Sequence, residues 1–326
     1  MHSSALIAAR SIEEWMDRFP LSKERTVVTI GNFDGVHLGH QRILRAVRER
    51  AGALEDSSQE ARVISAVLTF YPHPACVLRP EEAPQLLMTL PQRLAAFEKA
   101  GMQAAFVLQF DHGLAQLSPD DFVRRYLVET MRAKAVLVGA NFRFGHKQAG
   151  DVDLLRELAR RFGFETEAIG PVVIDGTVVS STAIRTALRE GRVEEAWKLL
   201  GSPYALAGEI RTGTGLGSKL VVPTLNLATE QELLPKRGVY ATEVALDGRV
   251  YRAATNVGVR PTFDGAATTI ESHLLDFSET RTNGRMEVRF LHRLRDEQKF
   301  AGPQPLREQI LRDIERAREY FGLAKK

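Results

Sequence analysis

The sequence predicts two domains of different class. The first is an α/β domain on a parallel sheet; the second is a small antiparallel β-barrel with a terminal α-helix. Three observations carry this. A chain of 326 residues is long for a single core. As far as Gly201, apolar strand runs alternate with segments of helical period, the pattern of a parallel sheet covered on both faces. From Tyr204 strands become short and turns frequent, and no helical period returns until about Gln304–Gly322.

Taken in order, a short helix at Ser11–Arg18 precedes what reads as the first strand, Thr26–Ile30, which is β-branched and apolar. Gly31-Asn32-Phe33-Asp34-Gly35 is a tight turn, and apolar residues then recur at helical spacing to about Leu54. After the polar stretch 55–61 comes a strand at Arg62–Phe70. The proline-rich run 71–85 reads as irregular. A helix at Pro91–Ala100 leads to a strand at Ala104–Phe110. Ser118-Pro119-Asp120-Asp121 then starts a helix running to about Met131. A strand at Lys134–Gly139, a loop at 140–150, a helix at Asp151–Phe162 stopped by Gly163, and a strand at Glu165–Ile169 follow. Helices at Thr182–Glu190 and Val193–Leu200 end the domain, and Gly201-Ser202-Pro203 places the boundary between 1–201 and 202–326. In the second domain Asp247-Gly248 between two alternating runs marks a hairpin.

The chemistry concentrates at the first turn. Strand, glycine-rich turn and helix in that order leave backbone N–H groups pointing out of a helix start, a natural phosphate site. Gly35 and Gly39 allow close approach without a Cβ. The turn has neither GxGxxG nor GxxxxGK[ST] spacing. It carries His37 and His40 instead, as His-x-Gly-His, and imidazolium N–H groups can bind the oxygens that gain charge when an α-phosphate is attacked. A lone histidine here would more often be a packing or capping residue; the pair directly after the turn favours phosphate. The loops at 31–35, 71–85 and 140–150 all follow strands, so they gather on one sheet edge.

Composition narrows the class. A hydrophobic content of 44% and a charged content of 26% describe an ordinary globular protein. The net charge is +3, but Arg and Lys are interleaved with acids, as in 156–167, so no nucleic-acid stripe is expected. Cys76 is the one cysteine, which excludes an internal disulfide. No run approaches about 18 apolar residues and no signal segment is read at the start, so the expectation is a cytoplasmic protein without a membrane partner.

Two further stretches can touch nucleotide. Ser181 or Thr182 can cap the helix that follows, and Arg185 one turn in can take phosphate oxygens with a planar fork. In 212–227, Gly213, Gly215 and Gly217 read either as a flexible hairpin tip or as a backbone phosphate cradle. Thr224 and Asn226 alternate on one face of an extended segment, and their oxygens suit Mg²⁺. Asn256–Gly258 and Arg260–Phe263 read as a turn region. Glu271–Phe277 reads as a strand with an acid at its start, able to accept a hydroxyl proton beside a metal-held phosphate.

The stretch GNFDGVHLGH resembles the HxGH nucleotidylyltransferases, a motif shared with pantetheine-phosphate and nicotinamide-mononucleotide adenylyltransferases. The barrel stretches at 208–226, 256–263, 271–277 and 294–300 resemble those of riboflavin kinase. In this order over roughly 25–320, the chain is similar to the prokaryotic bifunctional riboflavin kinase/FAD synthetases. The resemblance implies a Rossmann-like FMN adenylyltransferase domain and a riboflavin kinase barrel, with riboflavin, FMN, FAD and ATP as ligands. It implies ATP at His37 and His40 with the turn residues Gly31, Asn32, Phe33, Asp34, Gly35 and Gly39, and also Asn141, Ser181, Thr182 and Arg185. Phe70 and His73 would line that site on the flavin side. In the barrel it implies nucleotide at Gly213, Gly215, Gly217 and Lys219, Mg²⁺ at Thr224 and Asn226, Glu271 as base, and Arg295 and Glu297 near flavin. Three departures stand out. Tyr71 replaces the usual Asp, Gly217-Ser218-Lys219-Leu220-Val221 replaces Gly-Arg-x-Leu-Gly, and Leu225 replaces Ala. A single-activity FAD synthetase with a flavin-binding barrel and a flavin-sensing regulator remain alternatives.

Overall fold

The computed structural model describes residues 5–19, 24–57, 62–211, 223–262, 265–277 and 281–323, with only the backbone at 260–262 and 265–267. Two compact units divide between Val179 and Ser180.

The first unit is a six-stranded, wholly parallel sheet. Its strands are β1 (Ile7–Ala9), β2 (Glu24–Ile30), β3 (Arg62–Tyr71), β4 (Ala104–Gln109), β5 (Ala133–Gly139) and β6 (Glu165–Ile169), in the order β1-β4-β3-β2-β5-β6. The chain winds outward from β2 through β3 to β4, then returns to place β5 on the other side of β2. The carboxyl ends of β2 and β5 therefore flank the switch point, where open α/β sheets bind ligands. One face is covered by α2 (Leu38–Ser57) and α4 (Leu90–Lys99), which bury Leu44, Val47 and Phe97. The other is covered by α1 (Ile12–Arg18), α6 (Pro119–Phe122) and α7 (Val152–Phe162), through Trp15, Phe122 and Leu155.

Several expectations are corrected here. The first strand is Ile7–Ala9, not the one ending at Ile30; it is a short edge strand paired with β4. The proline-rich run is partly regular: α3 (Pro74–Leu78) starts with Pro at its first position, where no N–H is needed, and His73 caps it. The helix begun by Ser118 is α-helical only to Phe122 and continues as π turns over Val123–Thr130. A short hairpin, β7 (Val173–Ile174) with β8 (Thr177–Val178), was not expected. Residues 55–57 lie in α2 rather than in the polar loop.

The second unit opens with α8 (Ser181–Glu190) and α9 (Val193–Leu200). Its strands are β9 (Tyr204–Arg211), β10 (Leu225–Thr229), β11 (Gly238–Leu246), β12 (Arg249–Thr262), β13 (Gly265–Leu274) and β14 (Arg285–Asp296), closed into a barrel as β10-β13-β12-β11-β14-β9. The terminal helix α10 spans Pro303–Tyr320. Asp247 and Gly248 both take positive φ, as the predicted two-residue hairpin requires. The expected turn at 256–263 is corrected: residues 256–262 continue β12. Pro261 is tolerated because β11 stops pairing at Val257, so beyond it β12 has only β13 as a partner. Inside the barrel, the fully buried hydroxyls of Thr242, Thr255 and Ser272 satisfy one another at 2.6 and 2.8 Å.

Candidate active sites

The turn after β2 is held in a shape few residues adopt. Phe33, Gly35 and Val36 all have positive φ. Two turn side chains supply support. Phe33 is buried and packs edge-on against Phe97, and a Cβ on Gly31 would stand 3.2 Å from its ring. The buried Asp34 carboxylate accepts the backbone N–H groups of Leu87, at 3.0 and 3.1 Å, and Met88, at 3.2 Å. Asp34, expected to meet nucleotide, thus ties the turn to the loop ahead of α4.

His37 and His40 follow at the start of α2, with rings stacked 3.6 Å apart between centroids. The backbone N–H of His40 donates to His37 Nδ1 at 3.3 Å, so a neutral His37 carries its proton on Nε2. Gly39 leaves room for this arrangement, since a Cβ there would come within 3.1 Å of the His37 ring. His40 Nδ1 is buried without a hydrogen-bond partner. Burial, then the neighbouring His37 and Arg93, push the His40 imidazole well below the ordinary value. The charged form of His40 is therefore disfavoured in the free protein.

The other residues of this edge connect to the turn. His73 Nδ1 accepts the Ala75 N–H at 3.2 Å, and its Nε2 meets the Asn32 side-chain amide 3.1 Å away. Phe70, the residue before the last of β3, packs edge-on against Phe110. Asn141 is exposed in the turn after β5. Arg93 was missed: it is 2% exposed, and its Nη1 reaches the carbonyls of Asn32 and Phe70 and the hydroxyl of Thr69. An arginine among PQRLAAFEK gives no sequence signal of burial.

Ser181, Thr182 and Arg185 fall within the second unit. The helix cap is corrected to Ser180, whose hydroxyl accepts the Ala183 N–H at 3.2 Å; Ser181 is the first helical residue. Thr182 is exposed and Arg185 is buried.

In the barrel, strand register does what a motif does in the sheet unit. Asn226 on β10 lies directly opposite Glu271 on β13, which lies directly opposite Asn256 on β12. Opposed residues share a face. The flanking Leu225, Leu227, Ser272 and Thr255 are buried, so the half-exposed Asn226, Glu271 and Asn256 line the outer side. Thr224 immediately precedes β10. Glu271 sits within its strand, not at its start as expected. Asn256 was missed as a site residue because its stretch reads as a turn. Leu225, one of the departures, points into the barrel core, away from this line.

Arg295 and Glu297 have structural partners. The Arg295 fork grips Asp313 of α10 at 2.6–3.0 Å. Glu297 accepts the Val259 N–H at 3.0 Å, and a Cβ on Gly258 would meet the side chains of Asn256 and Glu297. Gly213, Gly215, Gly217 and Lys219, with the departures at 218 and 221, lie outside the described residues.

A phosphate turn at a switch point, followed by a barrel with a carboxylate between two amides, defines a two-module enzyme that works on nucleotides. The FAD synthetase family model matches residues 20–183 and the riboflavin kinase model residues 200–321. The chain is 37% identical over 295 residues to a Haemophilus influenzae protein described as a bifunctional riboflavin kinase/FMN adenylyltransferase, covering 90% of this chain and 94% of that one. Proteins of the same description from Pseudomonas fluorescens and Escherichia coli K12 are 40% and 34% identical, covering 90% and 93% of this chain and 92% and 95% of theirs. A Streptococcus pneumoniae crystal structure described as a macrolide-efflux protein superimposes with a TM-score of 0.83 at 28% identity, covering 97% of this chain and 99% of that one. Among the described residues, no helix is long and apolar enough to cross a membrane. The chain belongs to the bifunctional riboflavin kinase/FMN adenylyltransferase family.

Proposed function

We infer that this chain makes both flavin cofactors: it phosphorylates riboflavin to FMN with ATP and joins FMN to AMP from a second ATP, releasing pyrophosphate. The observation that carries this is the presence of both family matches, in order, on one chain. We assign adenylyl transfer to residues 1–201 and phosphorylation to residues 202–326, and place the enzyme in the cytoplasm.

In adenylyl transfer, an FMN phosphate oxygen bonds to the α-phosphorus of ATP as the bond to pyrophosphate breaks. The FMN phosphate is already anionic at neutral pH, so no protein base is needed. What the residues supply is position and charge. His37 Nε2–H donates to phosphate oxygens. His40, neutral when alone, gains a proton as the anion arrives, so its positive charge is present only with substrate. The turn amides hold the phosphates, and Phe70 and His73 border the flavin side.

In phosphorylation, Glu271 takes the proton from the riboflavin hydroxyl while that oxygen bonds to the γ-phosphorus and ADP leaves. Thr224 and Asn226 would hold Mg²⁺. Their hard oxygens beside a carboxylate suit it, and Asn226 and Glu271 are opposed across the ladder. The ion would neutralise charge on the transferring phosphate. Asn256, on the other side of Glu271, orients the carboxylate or the hydroxyl. Arg295 acts indirectly, by fastening α10 to the barrel. Incubation with riboflavin, ATP and Mg²⁺, followed by chromatography, should yield FMN and then FAD. FAD from supplied FMN with no FMN from riboflavin would leave a single-activity synthetase.

A further inference from the structure

Beneath the nucleotide turn lies a pair of buried charges that neither reaction consumes. One Arg93 nitrogen spans two strand ends. It donates to the Asn32 carbonyl, in the turn after β2, at 2.7 Å, and to the Thr69 hydroxyl and Phe70 carbonyl, at the end of β3, at 3.2 Å each. Thr69 also donates to the Asn32 carbonyl, at 3.4 Å. Asp34, itself buried, supplies opposing charge to the guanidinium. Its oxygens hold Leu87 and Met88, just ahead of Thr89, the cap of α4. The tie closes on itself: the turn holds the loop, the loop leads into α4, and Arg93 on α4 holds the turn. Arg93 Nε has no partner, so the side chain is not placed to satisfy all of its own donors. Buried charges are a weak source of stability, and this one sits where two functional segments leave the sheet.

We propose that Arg93 is a positioning residue for adenylyl transfer. It locks the turn carrying His37 and His40 to the end of β3, which leads into His73, so that ATP and FMN meet in one preset arrangement. This rests on the reading that the turn is the adenylyl site. The cation also bears on His40, since Arg93 and His37 are the charges that disfavour its protonation.

The test uses the full chain with Arg93→Lys, Thr69→Val and, alongside, His37→Ala. Lysine keeps the charge but lacks the fork. FAD formation by Arg93→Lys should fall in kcat by about ten- to a hundredfold, the scale of a small misplacement, with less change in KM for ATP. Riboflavin phosphorylation by the same preparation should be unchanged. Thr69→Val, which removes one acceptor and leaves Arg93 in place, should show a smaller loss in the same sense, and it decides the matter if Arg93→Lys does not fold. Unchanged kcat per folded molecule, measured against circular dichroism and thermal unfolding, would leave Arg93 a purely structural residue and overturn the proposal. If His37→Ala also forms FAD normally, the site reading fails with it; if only His37→Ala is impaired, this inference fails alone.

Discussion

The two sites are built in opposite ways. In the sheet unit the proposed phosphate groups come from one run of chain, residues 31–40, and a backbone with three positive φ angles shapes them. In the barrel the proposed groups come from three strands, β10, β12 and β13, and the pleat puts Asn226, Glu271 and Asn256 on one line. A loop-built site has to be braced from below, and Phe33, Asp34 and Arg93 are the braces. A strand-built site takes its precision from the ladder, and below it lie only the core and the satisfied hydroxyls of Thr242, Thr255 and Ser272. In the roles proposed above, the first spreads its work over several contacts and the second leans on the Glu271 carboxylate.

That contrast can be broken most directly at Glu271. Glu271→Gln should lower riboflavin phosphorylation by about 10²–10⁴-fold, the usual worth of a general base, and leave conversion of supplied FMN to FAD intact. A loss below tenfold would mean that the barrel shares its work as the turn does. In the sheet unit, His37→Ala or His40→Ala should each slow FAD formation about ten- to a hundredfold, the loss of one charge-assisted contact of roughly 1.5–3 kcal/mol, while riboflavin phosphorylation persists. Steady-state rates for both reactions in each variant make the comparison.

The smallest effect is on stability. The folded His40 titrates below its ordinary value, so between the two values the unfolded chain binds more protons than the folded one. Stability therefore falls as pH drops through the ordinary histidine value toward the folded one, and is recovered above it. In thermal unfolding between about pH 5 and 8, His40→Gln should flatten this dependence in the transition of the sheet unit. An unaltered slope would show that the brace around His40 leaves its protonation untouched.

Much of this was legible in the sequence where local chemistry decides structure. Strand, glycine turn and helix start at 26–47, Asp151 and Gly163 at the two ends of α7, and Asp247-Gly248 at the hairpin all read correctly. The misses share a cause: tertiary context overrode a local cue. Residues 7–9 are too short to read as a strand without β4 beside them. Gly258 and Pro261 look like a turn, yet the glycine makes room for Asn256 and Glu297, and the proline sits where the ladder has one neighbour. Arg93 carries no motif, and Asn256 opens a stretch that reads as a turn. Arg93 is notable only for its burial and Asn256 only for its register, and neither is written in one dimension.

Ser180 has a practical consequence for anyone dividing this protein. Its hydroxyl starts α8 immediately at the point where the compact units part. From there the chain is already committed to the barrel: Leu188 accepts the Lys236 N–H, and Glu194 meets His292, against which Tyr320 of α10 stacks. A fragment begun at 202, the boundary proposed above, would strip both helices from the barrel they pack on. The compact units part at 179/180, so a fragment of the barrel unit that keeps both helices begins at residue 180.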